Sequence, residues 1–396
     1  MFALDCATQG YDWGSTDGIP LFRRSAADGA PLAEVWMGTH PLGPAQIETP
    51  DGRRPLSDVA GELPFMMKIL SAAQPLSIQV HPQAARARSG YAEEEAAGVP
   101  LDAPHRVYKD PSPKPEMVYA LSTFDTLVGF RPTAEILRVL SPIENPTIQS
   151  LTAYLRRNPG FRGIVNTLRR LLDEPPAVAE IHDVVEQCGR ALDLGIDVKR
   201  AYATALMIAE HFPDDVGVLI SLMLNRLTLQ PGEAAYLEAG IIHAHLSGMC
   251  LEVMVSSDNV LRAGLTTKHV APAELVRCLA EGMSRVSRVT PNLFGLSTDI
   301  FAPRQGDFAL SLTQCSPADP DGLLLPGQGH RLMVCTGGEV IVTNTEGDGL
   351  RLQRGDVAYA GPADGDVHVI GTGELAQAYR PTDDDAARIA VLTDLV

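Results

Sequence analysis

The chain is poor in cysteine, short of basic residues and free of long apolar runs, and each shortage excludes something. Six cysteines (Cys6, Cys188, Cys250, Cys278, Cys315 and Cys335) are scattered through 396 residues with no CxxC pair and no dense framework. That argues against a disulfide-stapled scaffold and fits reduced thiols in the cytoplasm. Lysine and arginine number 32 against 49 acidic residues, a formal net charge of −17, so a nucleic acid or an anionic membrane surface is excluded as the main partner. An anionic small substrate would need a local basic cluster working against the global field. No apolar run reaches the roughly 18 residues of a membrane span, and Asp5, Asp12 and Asp17 interrupt any secretory signal. The expectation is a soluble, cytoplasmic protein whose partner is a small molecule.

What is present divides into three textures, and the length fits two or three domains. Residues 1–130 are rich in Gly, Pro and short apolar runs, such as Ala33–Met37, Phe65–Leu70, Leu76–His81 and Met117–Leu121, which predicts a β-sandwich or barrel. From 131 to 224 the apolar residues recur at helical spacing, as in Ala134–Leu140, Ile164–Leu172, Val178–Leu194 and Val198–Phe212, with prolines between the segments. The run Pro213-Asp-Asp-Val is expected to open the next helix with acidic residues in its first turn. Strands return from 225, a short helix is expected around Ala273–Gly282, and 296–396 is again β-like. The fold class is therefore mainly β with a helical insertion: a discontinuous barrel over 1–130 and 225–295, an all-α domain over 131–224, and a second barrel over 296–396.

An internal repeat supports two barrels of similar design. Leu227-Thr-Leu-Gln-Pro-Gly-Glu-Ala-Ala-Tyr236 aligns without gaps on Leu350-Arg-Leu-Gln-Arg-Gly-Asp-Val-Ala-Tyr359, matching at both leucines, Gln, Gly, Ala and Tyr. A strand, a Gly-acid turn and a second strand read as a recurring hairpin. Counting on from the aligned tyrosines, Asp366 falls at the position of His243, so the second copy is expected to lack a metal site.

The chemistry centres on Leu76-Ser-Ile-Gln-Val-His-Pro82. Alternate side chains of a strand share a face, so Ser77, Gln79 and His81 look one way while Ile78 and Val80 look the other. Together with Glu116 and His243, Gln79 and His81 would supply two imidazole nitrogens and two oxygen donors, a set suited to Zn²⁺ with a position left open. Sequence spacing does not force that grouping.

Several pieces, in order along nearly the whole chain, resemble the type I phosphomannose isomerases: Gly10-Tyr-Asp-Trp-Gly14, Ala33-Glu-Val-Trp-Met-Gly-Thr-His-Pro41, Leu63–Leu70, Leu76–Pro82, Lys114-Pro-Glu116, Tyr236–Lys268 and, most specific of all, Glu252-Val-Met-Val-Ser-Ser-Asp-Asn-Val-Leu-Arg-Ala-Gly-Leu-Thr-Thr-Lys268. The resemblance implies cupin-like (jelly-roll) barrels, one zinc ion per chain held by Gln79, His81, Glu116 and His243, and an active-site role for Arg262. It implies interconversion of mannose 6-phosphate and fructose 6-phosphate through an enediol, within GDP-mannose biosynthesis, by a monomer. Lys114, Glu252 and Asp258 are candidates beside Arg262 for catalysis, and Trp13, Lys68, Ser77, His245 and Lys268 for holding the substrate. Arg262 keeps its proton at ordinary pH, so its role is to stabilise an anion or anchor phosphate.

Three departures stand out. Ser112-Pro113 replaces the family's Asn-His before Lys-Pro-Glu, so Pro113 can carry no proton. His245 stands where a tyrosine is usual, and Gln83-Ala-Ala replaces the lysine that commonly follows QxHP. Two other readings stay open at this level: an Fe(II) oxygenase, since two histidines and a carboxylate also suit non-haem iron, and a non-catalytic sugar-phosphate-binding protein.

Overall fold

The computed structural model describes residues 1–280, 287–303 and 306–382. It is mixed, with more strand than helix. Among the described residues most strands fall into an eleven-stranded and a nine-stranded sheet, with a two-stranded ribbon beside them. The expected helix ending at Gly282 runs Pro272–Cys278; Gly282 itself, like 304–305 and 383–396 of the C-terminal region, lies outside the described residues.

One long strand, His243–Val255, organises the larger sheet. Its first part pairs with Ile78–Val80 and Phe124–Phe130, and its second with Phe65–Ala72 and Glu116–Ala120. Between the two parts the register slips by a residue, and Gly248 takes a φ of 106°, in the region open to glycine. A Cβ there would come within 2.3 Å of the Thr123 carbonyl oxygen. The strand thus belongs to two walls, and alternation gives each wall an inner and an outer face.

The outer faces are apolar and each is covered. On one wall Val35, Met67, Ile69, Met117, Leu251 and Val253 pack against Phe308, Leu310 and Leu332 of the nine-stranded sheet. On the other, Ile78, Val80, Leu127, Ala244, Leu246 and Leu261 pack against Ile136, Leu155, Leu168 and Val184 from the helices. Those helices run from Thr133–Leu140 to Gly217–Ser221 and bury the stripes that the helical periodicity marks, such as Ile164, Leu168 and Leu171. Asn145 caps the helix Pro146–Arg157, accepting the Thr147 and Ile148 N–H groups.

The helix expected to open at Pro213 instead starts at Gly217 with no acidic residue in its first turn. Asp215 lies ahead of it, accepting the Gly217 and Leu265 N–H groups at 2.6 and 2.9 Å. Its carboxylate ties the helix to the loop after Leu261–Gly264, a demand that periodicity does not register.

The repeat is real, but it is no hairpin. Leu224–Leu229 pairs with Phe124–Phe130, while Ala234–Leu237 pairs with Glu116–Ala120. In the other copy Gly349–Gln353 and Val357–Ala360 take opposite halves of Arg331–Thr343. In each copy the turn carries the chain onward, to the next strand in the first and to the other half of Arg331–Thr343 in the second, through glycines of matching conformation, Gly232 at φ 91° and Gly355 at φ 90°. A further strand then spans both stretches: His243–Val255 in one copy, His368–Tyr379 in the other. Among the described residues the linear division is crossed twice, because Phe2–Leu4 pairs with Val357–Ala360 and Asn292–Phe294 with Thr298–Phe301, both in the nine-stranded sheet.

If the bend in the shared strand depends on Gly248, Gly248→Ala should cost about 1–3 kcal/mol without changing the fold. Thermal and urea denaturation followed by circular dichroism measure this; an unchanged midpoint would mean the strand bends by other means.

Candidate metal centre and active site

Strand register builds the site. Gln79 lies opposite His243 on one side and Arg262 on the other, and directly opposed residues project from the same face. Arg262, Gln79 and His243 therefore form one row on the inner face, with His245 two residues further along the strand. On the facing wall the same rule aligns Trp36, Lys68 and Glu252 in a row, while Glu116 sits opposite Met254. Both walls turn their polar faces toward each other.

His81, Glu116 and His243 converge there, with ligand atoms all within 4.8 Å of one another, and all three are buried. His81 Nδ1 donates to the Asn259 carbonyl at 2.7 Å and His243 Nδ1 to the Ile241 carbonyl at 2.9 Å. A carbonyl can only accept, so both protons sit on Nδ1 and the Nε2 lone pairs point inward. They face the Glu116 carboxylate at 3.2 and 3.3 Å, yet both Nε2 atoms and Glu116 Oε2 lack a hydrogen-bond partner.

Burial, with Lys114 nearby, pushes His81 down to about 4, so its ring is neutral at pH 7. Burial alone would raise Glu116, but Lys114, at 3.0 Å, and His81 outweigh it and hold the carboxyl well below the usual range. Lone pairs and an anion brought together in a dry interior repel one another unless a cation lies between them. The donor set fits a divalent metal, and backbone carbonyls orient the imidazoles as they do around bound metals.

A second buried group adjoins the first, made of Glu116, His245 and Glu252. His245 Nε2 lies 3.2 Å from Glu252 Oε1, and Nδ1 lies 3.2 Å from the Thr126 hydroxyl. Glu252 is held below its usual range: burial and Glu116 would raise it, but the His245 hydrogen bond and Lys68 prevail. Lys68 is buried between Glu34, at 3.4 Å, and Glu252, at 3.7 Å, with its ammonium 5.0 Å from the Trp36 ring. Burial would lower it, yet the two carboxylates raise it.

Nearer the surface, Asp258 meets His40 at 3.3 Å and remains 40 % exposed, which leaves it open to a substrate. Burial would raise its carboxyl, but His40, Lys114 and Lys68 hold it down. Arg262 is half-buried, and burial lowers it from the ordinary guanidinium value; burial and the charge of Arg262 lower Lys268. Ser77 and Gln79 are half-buried, and Trp13 stacks on Tyr11 at 5.6 Å beside the inner cluster.

Reasoning from the sequence alone passed over Glu34 and His40, although both lie in the Ala33–Pro41 stretch, and over Thr126, Asp110 and Asn259. Their partners lie far away in the chain, so spacing holds no trace of them.

In the second copy the strand pairing shows the donors replaced. Tyr359 pairs with Leu332 and Leu332 with Ala378, as Tyr236 pairs with Met117 and Met117 with Val253. Arg331 and Gln377 therefore stand where Glu116 and Glu252 stand, and counting residues from the tyrosine, which puts Asp366 at His243, is two residues out of register by that point. Arg331 is fully buried and donates to the Gly327 and Gly365 carbonyls at 3.0 and 2.8 Å.

Comparison with known proteins gives a consistent result. Residues 1–133 match the family model for the phosphomannose isomerase type I catalytic domain. The chain is 34 % identical to the mannose-6-phosphate isomerase of Salmonella typhimurium, covering 96 % of this chain and 99 % of that protein. It is 30 % identical to the Homo sapiens enzyme of the same name, covering 91 % and 93 %. It superposes with a TM-score of 0.86, at 33 % identity and over 96 % and 100 % of the two chains, on a structure of the Salmonella enzyme bound to fructose 6-phosphate and zinc.

If the orphaned lone pairs are ligand atoms, His81→Ala or His243→Ala should lower zinc from about one ion per chain to near zero while the protein stays folded. Elemental analysis after dialysis checks this; zinc retained in both variants would refute the assignment.

Proposed function

The chain belongs to the type I phosphomannose isomerase family, and from that premise we infer that it is a zinc-dependent aldose–ketose isomerase interconverting mannose 6-phosphate and fructose 6-phosphate. The observation that carries the reading in this chain is the convergence of the His81 and His243 lone pairs on Glu116. We assign His81, His243 and Glu116, with Gln79 from the same row, to the metal. Zinc bound there supplies Lewis acidity beside the sugar's carbonyl, a contribution of several kcal/mol to stabilising a developing oxyanion.

The remaining work belongs to the side chains. Isomerisation opens the ring, removes a proton beside the carbonyl and returns it to the neighbouring carbon through an enediol. Arg262, fixed in the row of Gln79, stays cationic and meets negative charge on the substrate; Lys268 extends that positive end toward the surface, and Ser77 adds a hydroxyl on the face of Gln79. Lys68 is engaged by Glu34 and Glu252, so it reaches the substrate only as part of that ion cluster. Trp13 walls the pocket.

Proton transfer falls to Lys114, Glu252 and Asp258, because Pro113 has no proton to give. Asp258 suits the base best: it is ionised, steadied by His40 and open to a ligand, whereas Glu252 is closed on His245 and Lys114 on Glu116. His245 supports Glu252 from the position where the family usually has a phenol.

We read the architecture as two cupin-like barrels, 1–130 with 225–295 and 296–396, beside an all-α unit at 131–224. The shared pairing pattern of the two copies supports this. The second barrel is read as holding no metal, because a buried cation, Arg331, and an amide, Gln377, stand where the carboxylates Glu116 and Glu252 stand in the first. Among the described residues no helix is long and apolar enough to cross a membrane, which suits the expected cytoplasmic setting.

Purified protein should convert mannose 6-phosphate in a coupled assay, lose the activity to a chelator and regain it with zinc. Arg262→Ala should keep its zinc and lose about 10²–10³-fold in kcat. Iron-dependent oxygen consumption without isomerisation would overturn the reading.

A further inference from the structure

Two loops that bracket the metal centre are fastened together by side chains to which the isomerase chemistry gives no task. Asn259 is completely buried. Its Oδ1 accepts the Lys109 N–H at 2.7 Å, and its Nδ2 donates to the Asp110 carbonyl at 2.7 Å and the Ser112 carbonyl at 2.9 Å. Asp110 closes the clasp from the other side: its carboxylate accepts from the Ser257 hydroxyl, the Asp258 N–H and the Ser112 N–H, each at 2.9 Å. The main-chain carbonyl of the same Asn259 takes the Nδ1 proton of His81.

We propose that Asn259, seated by Asp110, is a positioning residue of the metal centre. It fixes the carbonyl that sets the tautomer and ring plane of His81, and it ties that carbonyl to the segment leading into Lys114 and Glu116. Two ligands from distant parts of the sequence are thereby held at one spacing. The residue type matters because the site needs a donor and an acceptor on one short side chain. Aspartate would turn an acceptor toward two carbonyls and the Asp110 carboxylate, and leucine would leave them unpaired. Pro113, directly after Ser112, stiffens the same segment by fixing its own φ, so this chain has rigidity where the family usually has an imidazole. The inference rests on the assignment of His81 and Glu116 to zinc.

The test compares zinc release to a chelator, and the visible absorption of the Co²⁺-substituted protein, in wild type, Asn259→Ala and Asp110→Asn. Asn145→Ala, which removes the cap of the helix Pro146–Arg157, serves as a control for lost stability. Outer residues that orient ligands are worth about 10–100-fold in metal affinity, so the Asn259 and Asp110 variants should release zinc faster by about that factor and shift the Co²⁺ bands. The control should do neither. If Asn259→Ala does not fold, Asp110→Asn decides by the same two readings. Wild-type release and spectra in a folded clasp variant would reduce the clasp to structural glue and overturn the proposal. Wild-type protein that takes up no zinc would instead sink the ligand assignment, and the clasp with it.

Discussion

Two imidazoles aim their Nε2 atoms at a carboxylate in a buried interior, and most of the molecule can be understood as the means of holding them there. The arrangement is unfavourable alone, because both Nε2 atoms and Glu116 Oε2 are buried without a hydrogen-bond partner. Backbone carbonyls behind His81 and His243 forbid the tautomer that would relieve it, and Lys114 keeps Glu116 ionised. A divalent cation resolves the conflict, and the charge left over suits an electron-rich sugar phosphate.

The scaffold imposes this geometry through one bent strand. Because His243–Val255 serves two walls, residues on either side of Gly248 meet across the interior. Apolar outer faces, one against the helices and one against the second sheet, keep the walls in register. The second copy keeps the pairing scheme and replaces the donors: Arg331 and Gln377 stand where Glu116 and Glu252 line the first copy with negative charge. Architecture and chemistry are thus separable, and the metal centre depends on a few side chains rather than on the topology.

What could be learned from the sequence follows the range of the interactions. Alternation along Leu76–His81 puts Gln79 and His81 on one face because that is a local property, and the helical stripes between 133 and 221 were legible for the same reason. The assembly of Glu116 and His243 with His81 came from family resemblance, since lateral register between strands leaves no mark on spacing. The repeat was visible while its geometry was misread: a Gly-acid turn looks the same whether the strands flanking it pair with each other or with separate stretches of the sheet. Asn259, Asp110, His40 and Glu34 stayed hidden because each acts on a partner remote in sequence, and a buried asparagine has no periodicity.

The central claim is tested most directly by X-ray absorption at the zinc edge of the loaded, substrate-free protein. The account predicts only nitrogen and oxygen neighbours at about 2.0–2.2 Å, with the outer-shell scattering of two imidazoles. A sulfur neighbour near 2.3 Å, or a spectrum without imidazole scattering, would contradict it.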